Sequence, residues 1–320
     1  MTLKRYSEEN NTIRAVIICG PTGSGKSSWA MELADRYGGR IIGADSRQIY
    51  RRFDIGTAKP SREDRAKIPH YLIDVADITE DFTAKKYAEM ASTAVVETAA
   101  AGAVPFIVGG AGLYLEALTG GLFEGPEKDS SFRDELELVA KQEGPQKLHE
   151  ELSRVDPETA LKISPNDSIR LVRALEVYHL TGKPISIMKA GGEYRRLDAA
   201  FLWLGLEFER QELYNRIDAR VDRMIEDGLV DEVRELYRDG LGMPIIKKRI
   251  VGYYEIVEAI ENRIQINKAI ARIKQHSRNY AKRQLTWFRN RVQVNWIDSS
   301  NSGSSSITHP LIGQHLNKRA

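Results

Sequence analysis

Two patterns of apolar residues alternate along the chain. Short, continuous runs rich in β-branched residues recur at 15–18, 40–44, 70–74, 104–110, 199–206 and 293–297. Continuous rather than alternating runs predict strands buried on both faces, as in a parallel sheet. Helical stretches stand between them at 28–34, 84–101 and 111–118, and later at 210–227, 230–239, 253–261 and 265–291. Strand–helix alternation predicts an α/β fold, a doubly wound parallel sheet with right-handed crossovers. Between about 120 and 192 the strand pattern stops. Helices at 132–142, 145–153, 157–163 and 168–180, bounded by Pro, Gly, Asn or Ser, predict a helical insertion domain over 121–197. The core is then discontinuous, 13–120 and 198–298. The polar residues 1–12 read as disordered, and a Ser/Gly-rich stretch opens a flexible tail over 299–320.

The residues after the first run add chemistry. Gly20-Pro21-Thr22-Gly23-Ser24-Gly25-Lys26-Ser27 has P-loop spacing and stands between a predicted strand and a predicted helix. Its glycines let backbone N–H groups turn onto phosphate oxygens, and the following helix N-terminus adds positive potential. Lys26 supplies a point charge, and Ser27 a hydroxyl for Mg²⁺. The motif specifies polyphosphate, not nucleotide.

Asp45 ends the second predicted strand, and ligands of open α/β sheets collect at such carboxyl ends. It reads either as a general base or water-mediated Mg²⁺ contact, or as a cap for the segment that follows. Arg216 and Arg220 lie four apart on a predicted helix with acids between them. That spacing fits a solvated, ion-paired face and equally a clamp on a diphosphate.

At 320 residues, 42% hydrophobic and 29% charged, the composition is that of a globular protein with room for a large domain and an insertion. No apolar run is long enough for a membrane span, and a single cysteine, Cys19, fits a reducing, cytoplasmic setting as a small core residue. Net charge is only +2, but residues 262–320 hold eleven Lys and Arg against one acid, Asp298. Lys274, Arg278 and Lys282 form a like-charged stripe at i, i+4, i+8, which predicts contact with a polyanion such as nucleic acid. Tyr280, Trp287 and Phe288, interleaved with it, read mainly as core.

Together these residues resemble the bacterial tRNA dimethylallyltransferases. The resemblance rests on 20–27, on Asp45-Ser46-Arg47-Gln48-Ile49-Tyr50, on 54–60 (Asp-Ile-Gly-Thr-Ala-Lys-Pro) and on 108–114 (Val-Gly-Gly-Ala-Gly-Leu-Tyr). It continues through 166–178 with 181–184, 251–253, and 280–287, in family order from about 14 to 298. It implies transfer of a dimethylallyl group from dimethylallyl diphosphate to N6 of adenosine 37, the tRNA residue beside the anticodon. The P-loop would then hold a diphosphate leaving group with Mg²⁺ rather than ATP, in a monomeric, cytoplasmic enzyme.

In family terms Asp45 is the base, Arg220 the diphosphate arginine, and Gly20, Pro21, Thr22, Gly23, Ser24, Gly25, Lys26 and Ser27 the diphosphate loop. Contacts to tRNA fall on Asp45, Ser46, Arg47, Gln48, Ala111, Arg133, Ile169, Arg170, Leu171, Val172, Arg173, Arg249, Ile250, Val251, Gly252, Tyr253 and Tyr254. The insertion would clamp the anticodon stem-loop, and the target base would leave its stack. Three positions depart from the usual pattern. Ala111 replaces a threonine whose lost contact a backbone N–H or water would supply, Ile169 stands where Gln is common, and Tyr254 where Arg is. Other readings of the same P-loop are a small-molecule kinase, which would require ATP, and a prenyltransferase of free adenylates, which would need neither the insertion nor the basic end.

Overall fold

The computed structural model describes residues 12–121, 123, 125–191, 196–298 and 304–317. The expected disorder of 1–12 and the loop 299–303 fall outside that set, apart from residue 12. Six strands form one all-parallel sheet: β1 (Ile13–Cys19), β2 (Gly39–Gly43), β3 (His70–Tyr71), β4 (Val104–Gly109), β5 (Ala199–Glu207) and β6 (Asn295–Asp298). Their order is β3-β2-β4-β1-β5-β6. β1 lies between β4 and β5, with Val16 opposite Phe106 on one side and Leu202 on the other. A central strand meets helices on both faces, which is why its sequence is an unbroken apolar run.

The helices are α1 (Lys26–Tyr37), α2 (Arg62–Lys67), α3 (Ala84–Ala100), α4 (Gly112–Gly120), α5 (Ser130–Gln142), α6 (Pro145–Val155), α7 (Pro157–Ala160) and α8 (Ser168–Thr181). They continue with α9 (Ile185–Gly191), α10 (Arg210–Glu226), α11 (Leu229–Arg238), α12 (Gly242–Lys248), α13 (Tyr254–Ile260), α14 (Ile266–Arg291) and α15 (Ser304–Asn317). Alternate strand residues feed opposite layers. Ala15, Ile17, Cys19, Ile42 and Ile107 pack with Tyr87, Ala91 and Val95 of α3 and Leu115 of α4. Val16, Ile18, Ile41, Phe106 and Leu204 pack with Ala30 and Leu33 of α1 and Ile312 of α15. A third cluster gathers Ile49, Phe53, Val221, Leu229, Tyr253, Ile256 and Ile273 around α10 to α14.

The chain divides into two compact units, one of residues 1–119 and 197–320, the other of residues 120–196. The second is helical. Leu148, Leu152, Leu171, Val172 and Leu175 fill its core. Glu176, a fully buried carboxylate there, accepts from Asp129 N at 2.9 Å and from Arg133 Nε and Nη2 at 2.6 and 2.7 Å, and Arg173 Nη1 donates to it as well. Burial raises the carboxyl's pKa, but these charged donors outweigh it and hold Glu176 down at about 2.

Two expectations fail. The tail over 299–320 contains α15, held by Ile312, which is fully buried, and by Tyr37 Oη on His309 Nδ1 at 3.0 Å. Burying one isoleucine contributes about 2 kcal/mol, which docks a helix whose own pattern Pro310 interrupts. The third strand stops at Tyr71 because Leu72 and Asp74 take positive φ (61° and 57°). That turn lets Asp74 accept from Lys59 Nζ at 2.6 Å and Arg65 Nη1 at 2.8 Å.

Candidate functional site

The loop Gly20–Ser27 leaves β1 and enters α1. Gly23 has φ 81°, and a Cβ there would meet Ile217 Cγ1 at 2.7 Å, so only glycine lets α10 approach. Within the loop Ser24 is buried and its Oγ has no hydrogen-bond partner among the described residues, which leaves a donor unspent there. Lys26 Nζ donates to Pro21 O at 3.2 Å. Burial of the ammonium pulls its pKa down to about 8, against the opposing field of Asp45 and with Arg220 adding to the fall. Ser27 is exposed in the first turn of α1.

α10 supplies the wall opposite the loop. Arg216 Nε donates to Gly23 O at 3.2 Å, and Arg220 Nη1 to Thr22 Oγ1 at 3.2 Å. Arg220 Nη2 reaches Thr57 O at 3.4 Å. Burial lowers the Arg220 pKa, Asp45 opposes that, and no carboxylate among the described residues forms an ion pair with it. A half-buried guanidinium bound only to neutral acceptors keeps its charge available to an anion. Arg220 turns to the loop, whereas Arg216 both reaches Gly23 and pairs with Glu212 at 3.9 Å, so the helix face carries features of both readings.

Asp45 follows β2. Its Oδ1 accepts from Arg47 N at 2.8 Å and Gln48 N at 3.3 Å, an Asx turn, while Oδ2 has no partner among the described residues. One oxygen caps the turn, and the other is left open for a further contact. Lys26, Arg220, Tyr114 and Tyr280 all feel the Asp45 charge, which places it at their common centre. Burial, with Asp45 adding to it, pushes the Tyr280 hydroxyl up to about 12.

The 54–60 loop is a buttress. Gln48 Nε2 donates to Thr57 O and Ala58 O, both at 3.1 Å, and Tyr253 Oη accepts from Gly56 N at 3.1 Å. Glu232 accepts from Tyr253 Oη and from Ile55 N. Arg220 leans on this loop through Thr57, so its position is set by residues of α11 and α13 as well.

Several expected contacts are not available. Ile250 and Tyr253 are buried at 1% and 0% exposure in the cluster around α10 to α14, and Gly252 is buried beside them. Leu171 and Val172 are core residues of the helical unit. A nucleic acid cannot reach such side chains. Arg133 and Arg173 are spent on Glu176, whereas Ile169, Arg170 and Arg249 are exposed and Val251 and Tyr254 half-buried. Tyr254 Oη bonds His276 Nδ1 at 2.7 Å. Ala111 gives its own N–H to Ala44 O at 3.0 Å, so it has none left to replace the missing threonine hydroxyl. The basic stripe is also corrected. Lys274 pairs with Asp222 at 2.6 Å and Arg278 with Asp218 at 2.6 Å, both acids of α10. Lys282 is exposed. Cys19 is a buried core residue whose thiol burial pushes up to about 12.

Sequence reasoning passed over Gln284, which bridges Thr22 and Gly110 from α14. Its signal was a polar residue in register with the buried Ile273, Ala281 and Phe288. A cavity of about 540 Å³ lined by Thr119, Phe201, Trp203 and Val294 contains none of these residues. Among the described residues no cluster of three His, Cys, Asp or Glu side chains could hold a metal, and no helix is long and apolar enough to cross a membrane.

A phosphate loop after the central strand of a parallel sheet, faced by Lys26, Arg216 and Arg220, defines a P-loop protein. The chain belongs to the IPP transferase family, whose sequence profile matches residues 48–291. It is 43% identical over 304 residues to tRNA dimethylallyltransferase 1 of Citrifermentans bemidjiense, covering 95% of this chain and 98% of that one. The tRNA isopentenylpyrophosphate transferase of Bacillus halodurans superposes with a TM-score of 0.67 at 37% identity, over 96% of this chain and 97% of that one. A eukaryotic dimethylallyltransferase solved acting on tRNA gives a TM-score of 0.78 at 26% identity, over 97% and 81%.

Proposed function

We propose that the protein transfers the dimethylallyl group of dimethylallyl diphosphate to N6 of adenosine 37 in tRNA. The observation that carries this is Arg220: a half-buried guanidinium with no ion pair among the described residues, held on Thr22, across the phosphate loop from a carboxylate whose Oδ2 has no partner among them. The N6 amine attacks C1 of the dimethylallyl group, the C1–O bond breaks, and its electron pair leaves with diphosphate. Arg220, Lys26 and the loop N–H groups neutralise the charge that develops there. Asp45 Oδ2 takes the proton lost from N6.

The loop's chemistry fits Mg²⁺. Ser27, with diphosphate oxygens, would hold it, and it would supply further neutralisation of the leaving group. The helical unit, with Ile169 and Arg170 exposed on it, contacts the anticodon stem, and Arg249 contacts phosphate. Relatives named tRNA dimethylallyltransferase support an enzyme of this kind, and neither the kinase nor the free-adenylate reading is favoured.

The test is incubation with unmodified tRNA, Mg²⁺ and labelled dimethylallyl diphosphate without ATP, followed by nucleoside analysis. Labelled N6-dimethylallyladenosine from wild type, lost in Asp45→Ala, is expected. Label only in free AMP, or an ATP requirement, would overturn the reading.

A further inference from the structure

The buried face of α14 carries Gln284, 6% exposed, between Ala281 and Phe288. Both ends of its amide are bonded. Oε1 accepts from Thr22 N at 2.9 Å, and Nε2 donates to Gly110 O at 2.9 Å. A Cβ on Gly110 would lie 2.0 Å from that Nε2, so glycine is what keeps the carbonyl within reach. Both contacts lead to the site. Thr22 also accepts from Arg220 Nη1, and Ala111, next to Gly110, donates to Ala44 O, the residue before Asp45.

One side chain therefore ties the loop after β1 to the loop after β4, and through Ala111 and Ala44 to the end of β2. We propose that Gln284 is a positioning residue that sets the spacing between the phosphate loop with Arg220 and the Asp45 carboxylate. This rests on the transfer reaction proposed above, in which the leaving group sits at the first and the proton goes to the second. A buried amide is stable only with both ends bonded, so the loops are joined as one unit. Transfer between two bound reactants is sensitive to that spacing, and a displacement near 1 Å costs roughly 10²-fold.

Gln284→Leu removes both bonds, and Gln284→Glu makes the link switchable. A protonated carboxyl can donate to Gly110 O and accept from Thr22 N, whereas a carboxylate can only accept. The experiment measures kcat, KM for dimethylallyl diphosphate, inorganic diphosphate affinity and the melting curve of the full chain between pH 6 and 8. For Gln284→Leu, kcat is expected to fall about 30- to 100-fold, with a smaller change in KM. For Gln284→Glu, kcat relative to wild type should fall about tenfold or more as pH rises from 6 to 8, a trend that simple destabilisation does not produce.

A flat Gln284→Glu ratio, or Gln284→Leu within twofold of wild-type kcat, overturns the inference. If Gln284→Leu does not fold, the Gln284→Glu profile decides. Wild type that binds diphosphate but transfers nothing overturns the reaction and not the link. The link then stands if Gln284→Glu loses diphosphate affinity as pH rises, and falls if its affinity stays at the wild-type level.

Discussion

Helices α10 and α14 carry similar charge stripes and use them in opposite ways. Arg216 and Arg220, with Asp218 and Asp222 alternating between them, have the spacing of a solvated ion-paired face, yet both arginines reach the phosphate loop. Lys274 and Arg278 have the spacing of a polyanion grip, yet both are neutralised by those same two aspartates. One helix thus divides its labour: its acids hold α14, which frees its arginines for the loop. A stripe on one helix takes its meaning from what the neighbouring helix presents.

The sharpest way to break this contrast is Arg220→Ala. Removing a donor that, in the proposed reaction, neutralises the leaving group is expected to lower kcat by about 10²- to 10³-fold, measured in single-turnover prenyl transfer. A loss under about fivefold would make α10 another structural face.

The helical unit offers a third arrangement, in which a buried acid takes both arginines. Glu176→Gln leaves Arg133 and Arg173 uncompensated and is expected to cost about 3 kcal/mol in urea unfolding. Glu176 sits at about 2 in the folded chain, below its ordinary 4.5. Its contribution is therefore complete above pH 4.5 and is lost as pH falls from there toward 2. Wild-type stability that does not change over that window would mean the pair is unimportant.

Lys26 sharpens the loop side of the comparison. Held at about 8, it is protonated below that pH and neutral above it. Diphosphate affinity should fall up to about tenfold per pH unit above 8. Titration calorimetry checks this, with Lys26→Met expected to show a weak, flat profile.

The smallest effect belongs to α14. Arg278→Ala should cost about 1 kcal/mol or less, with diphosphate affinity unchanged. The charge swap Asp218→Arg with Arg278→Asp should recover part of that in a thermal melt. A larger loss of tRNA affinity than of stability would return the stripe to nucleic-acid binding.

Much of this molecule is legible along the chain. The unbroken apolar runs announce buried parallel strands, and Gly20 to Ser27 announces a phosphate loop, because both depend on residues close in sequence. The tail helix was not legible. Its anchor is Ile312, buried in the cluster that also holds Val16, Ile18 and Leu33, a complementarity with no local trace. Ile250, Tyr253, Leu171 and Val172 stand in segments that also carry exposed residues such as Arg249 and Arg170, and only packing shows that these four turn inward.

The sequence alone determined the α/β class, the position of the phosphate loop, the helical character of the 120–196 region and the candidacy of Asp45, since each follows from spacing and local backbone chemistry. Tertiary structure alone decided the division of α10 between acids and arginines, the buttressing of the 54–60 loop by Tyr253 and Glu232, and the Gln284 link. Those are pairings between residues some 50 to 260 positions apart. Electrostatics and hydrogen bonding select partners by distance in space, and the chain sets that distance only once it has folded.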